Sequence, residues 1–194
     1  MTKESKLQIE RRVVEILGVL NGKYYSLNRV EEPEISFLKS IGISLERDPE
    51  HDAAGINDDW PIGRGVYIQE EKNMVALVNF EDHVQFFVLP DGKDNFKEGL
   101  KRALKLLHTF EKLGFAVDPY LGNLTASPKH LGTALRLEAN LRFENKLDHK
   151  IDEELQQELE YGKALFLKNR LDTGEKDVVI ETGQTLAPNY NENI

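Results

Sequence analysis

The sequence predicts an α+β fold: a curved, mostly antiparallel sheet flanked by helices, packed on one face of the sheet. Three observations predict it. Apolar residues recur at helical spacing near the start of the chain and again after residue 95. Between these stretches lie three short apolar runs separated by turn residues, the pattern of a strand meander. Leu135 to Phe143 then alternates apolar and polar residues, as a strand with one buried and one polar face does.

Ile9, Val13, Ile16, Leu17 and Leu20 define the first helix, with Gly22 placed to cap its end. A short second helix is expected from Pro33, a good first-turn residue, through Phe37 and Leu38. Residues 51–59 are polar, contain Gly55, and read as a loop. Gly65 to Gln69 and Met74 to Asn79 read as strands joined by a turn at Glu70-Glu71-Lys72-Asn73. His83 to Leu89 is a third, stopped by Pro90-Asp91-Gly92. A helix follows, with Asn95 as N-cap and Glu98 three residues on. Phe96, Leu100, Leu104, Leu107 and Phe110 form its apolar stripe, and Gly114 ends it. Farther on, Asp152 to Tyr161 reads as a helix closed by Gly162, and Lys163 to Asn169 and Lys176 to Glu181 as strands. The domain is expected to span residues 1–183, leaving 184–194 as a polar tail.

The formal net charge is −9, which argues against nucleic acid and against an anionic membrane surface as partners. There is no cysteine, so disulfides, thiolate catalysis and zinc-thiolate sites are excluded. No apolar run reaches the length of a membrane span. The first twenty residues carry Glu4, Glu10 and Glu15 and read as an amphipathic helix, not as a targeting segment.

Two strings carry more specific information: Trp60-Pro61-Ile62-Gly63-Arg64-Gly65, and Leu124-Thr125-Ala126-Ser127-Pro128-Lys129-His130-Leu131-Gly132-Thr133. Between them lies Asn79-Phe80-Glu81-Asp82-His83, and Lys23 to Leu27 adds a further short match upstream. Together these resemble the phosphagen (guanidino) kinases, the arginine and creatine kinase family. There the patterns are Trp-Pro-x-x-Arg-Gly, Asn-Glu-Glu-Asp-His-Leu-Arg and Leu-Thr-x-Cys-Pro-x-Asn-Leu-Gly-Thr. The resemblance covers roughly Glu10 to Glu181 and implies the family's carboxyl-terminal catalytic domain.

The activity so implied is phosphoryl transfer from Mg-ATP to a guanidine, which rests on positioning and on neutralising phosphate charge. Arginines grip the phosphates, and carboxylates orient the guanidinium and accept its proton. By the resemblance, Glu81 is the substrate-binding glutamate and candidate base. Phe80 stands where the family has a second acidic residue, and Gln85 where it has a phosphate-binding arginine. Ser127 takes the place of the reactive cysteine in the substrate loop, and His130 that of an asparagine. Arg136 matches a nucleotide-phosphate arginine and is kept, whereas Asn140 and Gly42 stand where the family has histidines. The late Arg-Gly-Thr-Arg-Gly-Glu segment has no counterpart; Lys168 to Glu175 is nearest and its spacing differs. The family's amino-terminal domain is expected to be absent.

Each retained residue also has a plain structural reading. Glu81 can serve a strand end, and Arg136 can pair with Glu138 or face water. His83 and His130 lack carboxylates at ligand spacing, so no metal site is expected. A charged hydrogen bond is worth about 1.5–3 kcal/mol, so losing several phosphate arginines removes most of a triphosphate site. The expectation is a catalytically inactive domain without a cofactor, a cytoplasmic structural or scaffolding subunit of a larger protein assembly. A cytoskeletal or ciliary setting is implied by the family's role in energy delivery. Two alternatives stand beside it. One is an ATP:guanidino phosphotransferase, arginine kinase-like and using Mg-ATP, completed by a partner chain. The other is a regulatory subunit that binds nucleotide or guanidine weakly through Arg136 and Glu81.

Overall fold

The computed structural model describes residues 2–90, 96–136, 138–142, 165–169 and 177–182. The chain divides into two compact units, Met1–Gly114 and Phe115–Ile194. Among the described residues no helix is long and apolar enough to cross a membrane.

The first unit opens with helix α1 (Lys3–Leu17), whose N-cap Thr2 accepts a hydrogen bond from the Ser5 N–H. Its buried stripe is Lys6, Val13 and Leu17, one face at spacings of seven and four. The helix stops at Gly18, four residues before the expected cap. Gly22 instead opens strand β1 (Gly22–Ser26), which the periodicity did not reveal. Helix α2 (Glu32–Ser40) has Pro33 in its first turn, as expected. After the loop come β2 (Gly65–Gln69), β3 (Met74–Val78) and β4 (Val84–Val88), at the expected places. All four strands pair antiparallel in the order β1-β2-β3-β4.

Helices flank this sheet on both faces, a correction to the expectation of one. Leu38 and Ile43, from α2 and the segment after it, pack with Val66, Ile68, Val75 and Leu77 on one face. On the other, Tyr24 donates a 2.6 Å hydrogen bond to Glu10 of α1. There too Phe86 of β4 meets Phe110 of helix α3 (Phe96–Phe110), ring centroids 4.7 Å apart. The physical cause lies in β2 and β3: residues 65–68 and 74–78 are all buried, so both sheet faces need cover. Near-continuous apolar runs rather than alternation were the signal for it.

α3 presents a different stripe from the one its leucines suggested. Leu106 and Phe110 are buried, whereas Leu104 is 56% and Leu107 44% exposed. Leu100, Leu104 and Leu107 lie on one helical face and Leu106 on the next, and it is Phe110, beside Leu106, that meets Phe86. Gly114 ends the segment with φ +72, as expected. Asn95 and the Asp91-Gly92 turn lie outside the described residues.

Two glycines lock β1 onto β2. Tyr24 lies over Gly65 and Tyr67 over Gly22: a Cβ on Gly65 would stand 2.3 Å from the Tyr24 hydroxyl oxygen, and one on Gly22 2.4 Å from that of Tyr67. Each ring covers the bare backbone that a glycine leaves in a strand.

The second unit contains a minimal hairpin, β5 (Val117–Asp118) and β6 (Gly122–Asn123), turned by Asp118, whose carboxylate accepts from the Tyr120 and Leu121 N–H groups. Strands β7 (Glu138–Arg142), β8 (Leu165–Asn169) and β9 (Asp177–Thr182) form a second antiparallel sheet in the order β7-β9-β8. β7 starts at Glu138, three residues later than the alternation suggested. The expected helix at 152–161 lies outside the described residues, as does the tail from 183.

These contacts predict opposite effects for two glycine substitutions. Gly65→Ala forces Tyr24 aside and lowers the unfolding free energy by about 1–3 kcal/mol. Gly99→Ala, in α3 with nothing within 4 Å of the new methyl, raises it by about 0.4–1 kcal/mol. Urea titration of the two variants measures both.

Candidate functional site

The segment 56–64 is organised around a buried cation. Arg64 is 0% exposed, at the entry to β2. Its guanidinium donates to the carbonyl oxygens of Ile62 (3.2 Å), Asp58 (3.3 and 3.4 Å) and Ile56, and lies 5.0 Å from the centre of the Trp60 ring. A planar fork suits this task because its donors diverge in one plane and reach several carbonyls at once. Lys6 of α1, 1% exposed, adds a bond from its ammonium to the Asp58 carbonyl and sits 4.0 Å from the Asp59 carboxylate. Burial pushes the Lys6 pKa down, and the Arg64 charge beside it pushes the same way. Gly63 takes φ +69 in the turn, and a side chain there would press on Lys6. Gly63 thus serves a tight turn, while Gly65 serves the close approach of Tyr24.

Asn79, 3% exposed and following β3, ties this loop to the next motif. Its side-chain amide donates to the carbonyls of Lys6 (3.0 Å) and Gly63 (2.7 Å). Both amide hydrogens are thereby committed, so its oxygen faces His83 Nδ1 at 3.2 Å and His83 must be the donor. The partly turned-in His83 ring loses water, which holds its pKa below the ordinary histidine value, with Asp82 pulling the other way. Phe80 meets Trp60 edge-on, centroids 5.7 Å apart, and packs against the core under α2. The strings Trp60–Gly65 and Asn79–His83 therefore form one cluster.

Glu81 lies half-buried in the link between β3 and β4, two residues past Asn79. Gln85 is in β4, paired with Leu77 and on the strand face that carries Phe87. Ser127 and Arg136 belong to the second unit. Ser127 precedes the short helical turn Pro128–His130, and Arg136 is exposed just before β7. The structure thus joins Phe80 and Asn79 to the Trp60 loop, and it places Glu81 in the first unit and Ser127 and Arg136 in the second.

Sequence reasoning missed Lys6, although its position seven residues before Val13 on the buried stripe was the available signal. Arg64 was noted only as part of a motif; its burial has no signal in periodicity. Among the described residues no three His, Asp or Glu side chains gather as a metal site. In the described first unit Arg64 is given over to carbonyls, and Gln85 carries no charge.

The class defined by these features is an α+β protein built on an antiparallel meander with a buried-arginine loop at one strand entry. The chain belongs to the ATP:guanido phosphotransferase (phosphagen kinase) family, matching its C-terminal catalytic domain over residues 7–162. It is 33% identical over 156 residues to an arginine kinase of Anthopleura japonica, covering 77% of this chain and 22% of that protein. It is 32% identical over 148 residues to the arginine kinase Oct f 2 of Amphioctopus fangsiao (73% and 42%), and 30% identical over 147 to a taurocyamine kinase of Schistosoma mansoni (73% and 20%). The chain thus spans well under half the length of these relatives. Among solved structures, the duplicated taurocyamine kinase from Schistosoma mansoni with transition state analog components superimposes with a TM-score of 0.79 at 22% identity, covering 97% of this chain and 27% of that one. A lombricine kinase gives 0.73 at 20% identity, covering 96% and 54%.

Two outcomes are expected. Arg64→Met leaves the Ile56, Asp58 and Ile62 carbonyls without their donor and destabilises the chain by about 3 kcal/mol or more, and Arg64→Lys recovers only part of this; urea unfolding measures both. For His83 the folded pKa is below the unfolded one, so the unfolded chain binds the proton first. Stability is then lost as pH falls from about 6.5. In unfolding titrations across that window, His83→Asn shows a shallower fall than the parent.

Proposed function

We propose that this chain is a phosphagen kinase-family domain without catalytic activity of its own, acting as a structural or scaffolding subunit of a larger protein assembly. The Phe80–Gln85 segment is the observation that carries the reading. Where the resemblance expects an acidic residue, Phe80 has become core, its ring set against Trp60. Where it expects a phosphate-gripping arginine, Gln85 offers dipoles and no charge. Positioned charge contributes most when negative charge gathers in the transition state, so these changes cost turnover more than they cost binding. The partner in this reading is protein, in a cytoplasmic, cytoskeletal or ciliary setting, with no cofactor retained.

Glu81 and Arg136, and relatives named arginine and taurocyamine kinases, favour a second reading: an ATP:guanidino phosphotransferase completed by a partner chain, with Glu81 as base, Arg136 on the nucleotide phosphates and Ser127 in the substrate loop. Calorimetry and a coupled assay with Mg-ATP and either arginine or taurocyamine decide between them. No saturable binding and no turnover are expected for the purified chain. Turnover by the chain alone overturns the scaffold reading. Turnover that appears only with a co-purified partner establishes the second.

A further inference from the structure

The loop 124–131 in the second unit is framed by its own hydrogen bonds. Its stem is closed by an antiparallel bridge: the Asn123 N–H donates to the Gly132 carbonyl (2.8 Å), and the Gly132 N–H donates back at 3.2 Å. The Asn123 side chain adds a third bond to the Gly132 carbonyl at 3.0 Å. Gly122 and Gly132 have φ of +75 and +100, and a side chain on Gly122 would collide with the Gly132 backbone. The loop is therefore held at its base.

Ser127 lies within that loop. Its backbone is extended (φ −90, ψ 126), and its side chain makes no capping bond to the turn that follows. The carbonyl, not the hydroxyl, is the group the loop employs: it accepts from the Thr125 hydroxyl at 2.8 Å and from the His130 N–H at 3.1 Å. Ser127 is half-buried between exposed Ala126 and exposed Pro128. Of the seven prolines, Pro128 alone follows a serine or threonine, and Lys129 and His130 come next in sequence.

We propose that Ser127 is a phosphorylation site for a proline-directed protein kinase. Such an enzyme needs an extended serine followed by a residue that lacks an N–H, because its pocket for that residue offers no acceptor; proline meets that need and fixes its own φ. The loop already holds this shape, so little ordering entropy is lost on engagement. In the transfer, the Ser127 oxygen forms a bond to the γ-phosphorus of ATP, the bond from that phosphorus to the β–γ bridging oxygen breaks, and ADP leaves. The hydroxyl proton passes to the kinase's catalytic carboxylate. The product adds about 1.5–2 negative charges beside Lys129 and His130 in sequence.

The test uses the folded full chain, a purified proline-directed kinase and Mg-ATP, with intact mass and fragment mapping as readouts. One phosphate per chain at Ser127 is expected, lost in Ser127→Ala and also in Pro128→Ala, which keeps the acceptor and removes the directing residue. Thermal melts confirm that both variants are folded. Phosphate on the urea-unfolded chain but not on the folded one overturns the proposal, as does undiminished labelling of Pro128→Ala, or no labelling at all. The result is independent of whether the chain turns over Mg-ATP with a guanidine.

Discussion

Arg64 is the contact on which the first unit depends. A fully buried guanidinium is costly to desolvate, and it is tolerated here because three main-chain carbonyls of its own loop converge on it. The same bonds satisfy carbonyls that an irregular segment would otherwise bury without partners. The charge thus fixes the shape of residues 56–64, and with it the placement of Trp60. Lys6 extends the arrangement to α1, and Asn79 to the β3–β4 link, so helix, loop and sheet share one polar centre.

Around that centre the sheet is covered on both faces. The strand β1 is held to β2 by tyrosines lying over glycines opposite, a match of large and absent side chains that tolerates no methyl group at Gly65. The signature strings carry much of this framework. Their Arg64, Gly63, Gly65, Asn79 and Gly132 serve packing, turns and buried hydrogen bonds. Phe80 also packs, against Trp60 and the core, where the resemblance expects an acidic residue.

The strands at 65–69, 74–78 and 84–88 and the helices at 32–40 and 96–110 were readable because apolar runs and turn residues are local signals. β1 was not readable from periodicity: its five residues include only two large apolar side chains, and its burial comes from Tyr67 across the sheet. The buried side of α3 was misread for the same kind of reason, since Leu100, Leu104 and Leu107 mark one face while the contact with Phe86 is made by Phe110 beside Leu106. At the candidate site, Glu81, Ser127 and Arg136 were nameable from motif matches alone. The union of the Trp60 and Asn79 strings into one cluster was not, because the bonds that join them cross sixteen and more positions of sequence.

By itself the sequence determined the fold class and the family. Those follow from local periodicity and from short strings whose identity is preserved in order. Tertiary structure alone decided what the polar members of those strings do. A side chain's role is set by whether water or protein surrounds it, and that depends on partners distant in the chain. Arg64 stands in sequence as one letter of a motif; in the fold it is a buried donor to carbonyls.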